Sequence, residues 1–140
     1  MIRPAESADA PVIAELLNQL GYPTRAAEVP ERIRRLRAEG RSEVFVSVIA
    51  GTVGGLVSIQ VGPSLTRSED TALVSTLVVA EGIRGKGVGR ELLEVAEDYA
   101  RKHGCPRIVV ATANHRSGAH AFYERLGWGW TGRRYAKGLT

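Results

Sequence analysis

The chain has 140 residues with 44% hydrophobic and 24% charged side chains, proportions typical of a single globular domain, which we expect over residues 1–140. No apolar run approaches the roughly 18 residues of a membrane-spanning helix, and the first residues lack the apolar segment of a signal peptide, so we expect no membrane partner. Cys105 is the only cysteine, which excludes an internal disulfide and favours a cytoplasmic location, and the net charge of +4 suits either nucleic acid or a polyphosphorylated ligand.

The N-terminal part of the chain predicts a short strand over residues 1–4 and two helices. The first helix ends near Leu20, and the second spans about Ala26 to Ala38. Arginines surround the second helix, but no nucleic-acid-binding motif accompanies them, so we interpret them as a solvated face and do not expect a nucleic-acid partner. They are Arg32, Arg34, Arg35, Arg37 and Arg41.

Three strands are predicted next. Residues 44–49 and 53–59 form a hairpin, and a polar loop follows at 62–70. Residues 72–79 form the third strand, and an amphipathic helix runs from about Gly87 to His103. Between this strand and this helix the chain reads Arg84-Gly85-Lys86-Gly87-Val88-Gly89-Arg90.

This glycine-rich loop has the composition of a pyrophosphate cradle. Three glycines at alternate positions let the backbone approach a ligand, and the N–H groups at a helix start have no intrahelical partner. The helix dipole and the cationic side chains Arg84, Lys86 and Arg90 add to the attraction for phosphate. The loop is not a Walker loop, because Lys86 is followed by Gly87, and its spacing does not fit the dinucleotide-binding fingerprint. From the loop alone, a turn that merely joins strand to helix remains the alternative.

The C-terminal part predicts a buried strand at 107–112, a helix at about 117–126 and a last strand near 130–137. We interpret Cys105 as a small buried hydrophobic residue rather than a nucleophile. The order of all these elements predicts a mixed sheet with helices on both faces, an α/β (α+β) fold. The histidines lack metal-ligand spacing, so we expect no metal. They are His103, His115 and His120.

A second motif lies about 35 residues after the glycine loop, where residues 119–128 read Ala119-His120-Ala121-Phe122-Tyr123-Glu124-Arg125-Leu126-Gly127-Trp128. With the glycine loop, it resembles the GNAT superfamily of acyl-CoA-dependent N-acyltransferases. Arg84, Gly87 and Gly89 match the first signature of that family. The second signature is matched by Ala119, Phe122, Tyr123, Glu124, Leu126, Gly127 and Trp128. The two motifs have the order and spacing of the family, and the resemblance covers nearly the whole chain.

The resemblance implies the GNAT fold, a mixed central sheet of about six to seven strands with helices on both faces. In that fold the strand before the glycine loop and the strand at 107–112 splay apart, and acyl-CoA lies in the gap. Acetyl-CoA is the implied co-substrate, its pantetheine arm pairing with the backbone of Leu77, Val78 and Val79, and its thioester oxygen facing the Val79 N–H. The residues implied around the pyrophosphate are Arg84, Gly85, Lys86, Gly87, Val88, Gly89 and Arg90. Asn114 and Arg116 are implied as further cofactor-binding residues.

The resemblance also implies a catalytic role for Tyr123. A phenol with a pKa of about 10 is protonated at neutral pH and can donate a proton to the departing thiolate. A packed aromatic residue is the alternative. Two positions depart from the family: Ser75 stands where many relatives carry a glutamate base, and Arg116 stands where asparagine is common, although Asn114 could replace it. A base could instead come from Glu69, Asp70, His115 or His120, or the proton could leave through water.

The expected reaction is transfer of an acetyl group from acetyl-CoA to a primary amine of a small molecule, by direct attack in a ternary complex. One alternative is a protein or aminoacyl-tRNA acetyltransferase, which the basic charge would suit. Another is a non-catalytic acyl-CoA-binding module, suggested by Ser75. The resemblance and the aromatic-rich C-terminal segment favour a homodimer. The aromatic residues that either line the acceptor pocket or pack in the core are Tyr22, Trp128, Trp130 and Tyr135.

Overall fold

The computed structural model describes residues 1–111, 117–132 and 134–140, so Asn114, His115 and Arg116 lie outside the described residues. The chain divides into two compact units, Met1–Val110 and Ala111–Thr140. The strands of the first unit are β1 (Ile2–Pro4), β2 (Ser42–Ile49), β3 (Thr52–Ser64), β4 (Arg67–Val79) and β5 (Ile108–Val110). Its helices are α1 (Ala10–Leu20), α2 (Val29–Arg37) and α3 (Val88–Lys102), and the second unit contains α4 (Ser117–Arg125).

The five strands form one mixed sheet in the order β1-β2-β3-β4-β5. All neighbours are antiparallel except β4 and β5, which run parallel. The mixed α+β architecture is confirmed, but the described residues hold five strands rather than six to seven. The strand expected near 130–137 is absent from residues 130–132 and 134–137. An extended segment becomes a strand only when a neighbouring strand pairs with its N–H and C=O groups.

The polar segment at 62–70 is not a loop, as its composition indicated, but the end of a long hairpin. β3 continues to Ser64 and β4 begins at Arg67, so only Leu65 and Thr66 connect them. The Ser64 and Thr66 hydroxyl oxygens lie 3.0 Å apart within the turn. The tip of the hairpin is exposed, so its side chains can be polar. The strands still pair there because the hydrogen bonds between them come from the backbone.

Helices cover both faces of the sheet. Val44 and Val46 belong to a buried cluster with α1 and α2. Phe45, between them, points to the other face, where its ring meets that of Tyr99 in α3 with centroids 6.0 Å apart. At Gly55 of β3, an added Cβ would lie 3.1 Å from Leu92 Cδ1 of α3, so the missing side chain allows α3 to pack closely on the sheet.

An ion pair fixes the entry to α1. The guanidinium of Arg3 donates to both carboxylate oxygens of Asp9, at 2.8 and 3.0 Å, and the Glu6 N–H donates to the same carboxylate at 2.7 Å. Asp9 is buried, and the hydrogen bond from Arg3 is the main cause that lowers the pKa of its carboxyl. The bidentate pair therefore ties β1 to the first turn of the helix.

Replacing Asp9 with Asn should lower the free energy of unfolding at pH 7 by about 1 to 2 kcal/mol, because a charge-assisted pair is lost. Since the folded state lowers this pKa, the contribution is fully present above the pKa of the unfolded chain and disappears as pH falls through the folded value. The stability gap between wild type and D9N, measured by urea unfolding, should therefore begin to narrow near pH 4 and close as the pH falls through the lower folded value. D98N removes an exposed carboxylate paired with Arg101 and is the control; a D98N effect as large as that of D9N would contradict this account.

Candidate functional site

The pairing of β3 with β4 shifts by one residue at Ser75. Thr76 lies opposite Ser58, but Val74 lies opposite Ile59, which leaves Ser75 as an extra residue in β4. Such a bulge reverses which backbone groups point to each edge of the strand.

The bulge determines which residues of the last part of β4 face each edge of the strand. Before the bulge, the Ala72 N–H donates to the Arg107 carbonyl on the β5 side, at 3.1 Å. After it, the Ala80 N–H donates to the Gly54 carbonyl on the β3 side, at 2.8 Å. Backbone groups alternate along a strand, so Val78 also faces β3, whereas Leu77 and Val79 face the edge away from β3.

Along this edge, β5 is much shorter than β4. Their parallel pairing extends from Ala72 opposite Ile108 to Val74 opposite Val110, and β5 ends there while β4 continues to Val79. Among the described residues, the edge of β4 from Leu77 to Val79 therefore has no strand beside it. The resemblance to the GNAT family implied an opening between these two strands, and the free edge lies at that position.

The glycine-rich loop joins the end of β4 to α3. Gly85 and Gly87 have φ values of +83° and +81°, which L side chains rarely adopt, and no heavy atom lies within 4 Å of the position that a Cβ would take at either residue. Gly87 is the N-terminal cap of α3, and its carbonyl accepts the first helical hydrogen bond, from Glu91 at 3.1 Å. The N–H groups of Val88, Gly89 and Arg90 thus have no carbonyl partner within the helix.

The loop folds back onto the end of β4. The side chain of Arg84 donates from Nε to the Val79 carbonyl at 3.3 Å, which brings the loop cation to the strand edge. Arg90, in the first turn of α3, is exposed and pairs with Glu94 at 3.1 Å. Lys86 is exposed between them. Arg84 and the N-terminus of α3 thus lie beside the free edge, and Lys86 and Arg90 follow Arg84 closely in the chain, which is a suitable environment for a phosphorylated ligand.

Gln19 also reaches this edge, and the sequence did not indicate it. From the last turn of α1, its Nε2 donates to the Val79 carbonyl at 2.9 Å, and its Oε1 accepts the Glu81 N–H at 3.3 Å. Gln19 belongs to no motif, and it interrupts the apolar residues Leu17 and Leu20 as solvent-facing helix residues commonly do. Only the three-dimensional structure reveals the contact, because the partners lie 60 and 62 residues further along the chain.

The residues considered as a base are not equivalent. Ser75 is exposed, and its hydroxyl donates to the Ser58 hydroxyl at 3.1 Å. Asp70 lies near the other end of β4, roughly 30 Å from Val79 along an extended strand, and is paired with Arg41. Glu69 neighbours Asp70 in the exposed arm of the hairpin, so neither acid lies at the free edge.

Cys105 is buried next to this ion pair, as predicted for a packing residue. Burial is the main cause that raises the pKa of its thiol; the charge of Asp70 adds to the increase, and that of Arg41 opposes it. A thiol with a raised pKa is a poor nucleophile at neutral pH.

The second unit carries Tyr123 in α4. Its ring packs edge-on against Phe122 and Trp128, with centroids 5.3 and 5.8 Å away, and the Trp128 N–H donates to its carbonyl at 3.0 Å. His120, in the same helix, lies 5.9 Å from the ring of Trp130. The ring of Tyr123 is therefore held by neighbouring aromatic residues.

The other aromatic residues proposed for an acceptor pocket are largely outside the core. Tyr22, Trp130 and Tyr135 are 57%, 65% and 86% exposed, whereas Trp128 is half-buried against Tyr123. Within the described ranges, no three His, Cys, Asp or Glu side chains group in a way that could hold a metal ion. None of the described helices has the length and apolar character needed to cross a bilayer.

Comparisons with known proteins agree with this geometry. The model of the Acetyltransferase (GNAT) family matches residues 11–128. The N-acetyltransferase YhfO of Bacillus subtilis is 29% identical over 131 residues, covering 91% of this chain and 88% of that protein. The aminoalkylphosphonate N-acetyltransferase of Salmonella typhimurium is 33% identical over 89 residues, covering 64% of this chain and 58% of that protein. The solved structure of an acetyltransferase from Agrobacterium tumefaciens has a TM-score of 0.84 at 26% identity, covering 98% of this chain and 99% of that one.

Proposed function

The chain belongs to the GNAT acetyltransferase family, and from this premise we propose that residues 1–140 act as one domain that transfers an acetyl group from acetyl-CoA to a primary amine of a small molecule. The observation that carries the proposal is the free edge of β4 beside the N-terminus of α3. An extended ligand with amide groups and a pyrophosphate can use both features at once.

The proposed contacts of acetyl-CoA follow from the backbone. Leu77 and Val79 present N–H groups along the free edge and are suited to pair with the pantetheine amides, whereas Val78 faces β3 and contributes through its position between them. The space above Gly85 and Gly87 admits a pyrophosphate, which a Cβ at either residue would obstruct. The neighbouring amides of α3 are suited to accept its charge, together with Arg84, Lys86 and Arg90. We also propose that Asn114 and Arg116, which lie outside the described residues, bind the cofactor.

The proposed chemistry is direct attack by a neutral amine on the thioester carbonyl. The Val79 N–H is aimed at the oxygen on which negative charge develops, and the Tyr123 hydroxyl supplies the proton for the thiolate. Ser75 is not a useful base at neutral pH, so water accepts the proton that the nitrogen loses on attack and returns a proton to the Tyr123 phenolate. Holding both reactants together contributes further by reducing the entropic cost of reaction.

The small-molecule acceptor is supported by the relative in Salmonella, which is named for an aminoalkylphosphonate. An anionic amine of this kind would also suit the net charge of +4. Acetylation of a protein or an aminoacyl-tRNA is the second candidate, which the same positive charge favours. A non-catalytic acyl-CoA-binding module is the third, and the family's catalytic tyrosine, retained as Tyr123, argues against it.

We expect acetyl-CoA to raise the Tm of the protein, because a ligand that binds only the folded state stabilises it. We also expect release of free CoA when acetyl-CoA is supplied with one of a panel of amines. The panel contains an aminoalkylphosphonate, an amino sugar phosphate, an aliphatic diamine and a peptide with a free N-terminus. Turnover of the peptide alone would favour the second candidate, and binding without turnover of any amine would favour the third.

The variant that tests acetyl-CoA binding is G87V, and its matched control is G104V. Both glycines have a positive φ, +81° and +74°, with no atom within 4 Å of the added Cβ, so the backbone strain is similar. Gly104 follows the far end of α3, roughly 22 Å from Gly87 along the helix. G87V should lose affinity for acetyl-CoA and G104V should retain it. Wild-type affinity in G87V would contradict the pyrophosphate site.

Tyr123→Phe should lower turnover roughly 100-fold at saturating acetyl-CoA, because it removes the proton donor and keeps the ring between Phe122 and Trp128. The affinity for acetyl-CoA and the Tm should be retained. Ser75→Ala, measured in the same assay, should have a much smaller effect. Near-wild-type turnover of Y123F would mean that the thiolate is protonated by water and that Tyr123 is a packing residue.

We also propose a homodimer, supported by the family and by the exposure of Trp130 and Tyr135 in the C-terminal segment. Light scattering at micromolar concentration should then give twice the monomer mass of 15.1 kDa. Replacing both aromatic residues with Ser should shift the protein to monomer. A wild-type protein that scatters as a monomer would contradict this proposal.

A further inference from the structure

The side chain of Gln19 holds the segment in which the proposed oxyanion donor lies. Its Nε2 donates to the Val79 carbonyl at 2.9 Å, and its Oε1 accepts the Glu81 N–H at 3.3 Å. On the opposite side, the Ala80 N–H between them donates to the Gly54 carbonyl at 2.8 Å. Three consecutive residues are thus fixed from both sides, by the backbone of β3 and by one side-chain amide from α1.

The hydrogen bond from Gln19 to the Val79 carbonyl marks the end of the free edge of β4. The Val79 carbonyl accepts hydrogen bonds from Gln19 and from Arg84, so a ligand that pairs along β4 finds this carbonyl already engaged. The Val79 N–H is the last group of the edge that remains available to it. Gln19 therefore determines where the extended arm of a ligand stops pairing and where its reactive end lies.

We propose that Gln19 is a positioning residue for acyl transfer, an inference that rests on the proposed function. It keeps the Val79 backbone and the turn at Ala80 in the geometry in which the Val79 N–H meets the thioester oxygen. A donor acts on a transition state only when it is held in place, and small displacements of reacting groups have large effects on rate. Because Gln19 also anchors the last turn of α1, it joins the helix that precedes Tyr22 to the strand that carries the donor.

A purely stabilising hydrogen bond predicts a different result. It would contribute to the folded state in the same way as any other tertiary contact, and its loss would lower Tm without changing the rate of a folded enzyme. A positioning role instead predicts a change in kcat for protein that remains folded and saturated with both substrates.

The test is Gln19→Met, which keeps the length of the side chain and removes both hydrogen bonds. With saturating acetyl-CoA and the amine identified in the panel, kcat should fall roughly tenfold. The KM for acetyl-CoA should change less than about threefold, because the glycine loop and the amides of α3 still bind the pyrophosphate. Amide exchange at Glu81, followed by NMR, should accelerate roughly tenfold because this N–H loses its acceptor.

The control variant is Ala100→Gly, at the other end of α3. It should lower Tm through the poor helix propensity of glycine, and kcat measured below that Tm should stay within about twofold of wild type. An active wild type with a Q19M kcat within twofold would overturn the positioning role alone, as would an unchanged exchange rate at Glu81. A wild-type protein that neither binds nor turns over acetyl-CoA would instead overturn the proposed function and this role together.

Discussion

The extra residue at Ser75 is the constraint from which the rest of the site follows. Without it, the backbone groups of β4 would keep one alternation along the whole strand, and Val78 and Ala80 rather than Leu77 and Val79 would face the edge beyond the end of β5. The bulge changes the alternation, so that Ala72 and Val74 complete the sheet while Leu77 and Val79 face an edge without a strand beside it. Because β5 ends at Val110, β4 is paired on both sides near Ala72 and, among the described residues, has no strand beside its other end on that side.

A free edge is usually a risk, because unpaired backbone groups can bind another chain. Here it is short, and Gln19 and Arg84 occupy the carbonyl at its end. The close packing at Gly55 connects this edge to the glycine loop: Gly55 pairs with Val79, and an added Cβ would also lie 3.3 Å from Val88 Cγ1. A side chain at Gly55 would thus push the start of α3 away from the strand end.

The sequence predicts most of the elements and the principal motifs, because these depend on local pattern. The apolar period of α3 and the glycines before it identify the helix and its start almost to the residue. The hairpin end at 62–70 is missed because its polar residues are equally typical of a loop and of an exposed strand. The prediction of a strand near 130–137 is wrong because a strand must pair with a neighbouring strand, and the local sequence does not show whether one is present.

Parts of the site depend on long-range geometry and could not be read from sequence. The bulge at Ser75 is invisible until β3 and β4 are aligned, although serines at 58 and 75 within apolar strands are a weak signal. The selection of Leu77 and Val79 over Val78 requires the alternation after the bulge. Gln19 is found only through its contacts, since an amide on a helix surface has no pattern that distinguishes it from a solvent-exposed residue.

The assignment of this edge as the acyl-CoA site is tested most directly by backbone amide exchange along the end of β4, measured by NMR with and without saturating acetyl-CoA. The Val78 and Ala80 amides face β3 and should exchange slowly in both states. The Leu77 and Val79 amides should exchange quickly in the free protein and at least roughly tenfold more slowly in the complex, because a bound ligand would accept their hydrogen bonds. Unchanged exchange at Leu77 and Val79 in protein saturated with acetyl-CoA would contradict the assignment of this edge as the acyl-CoA site.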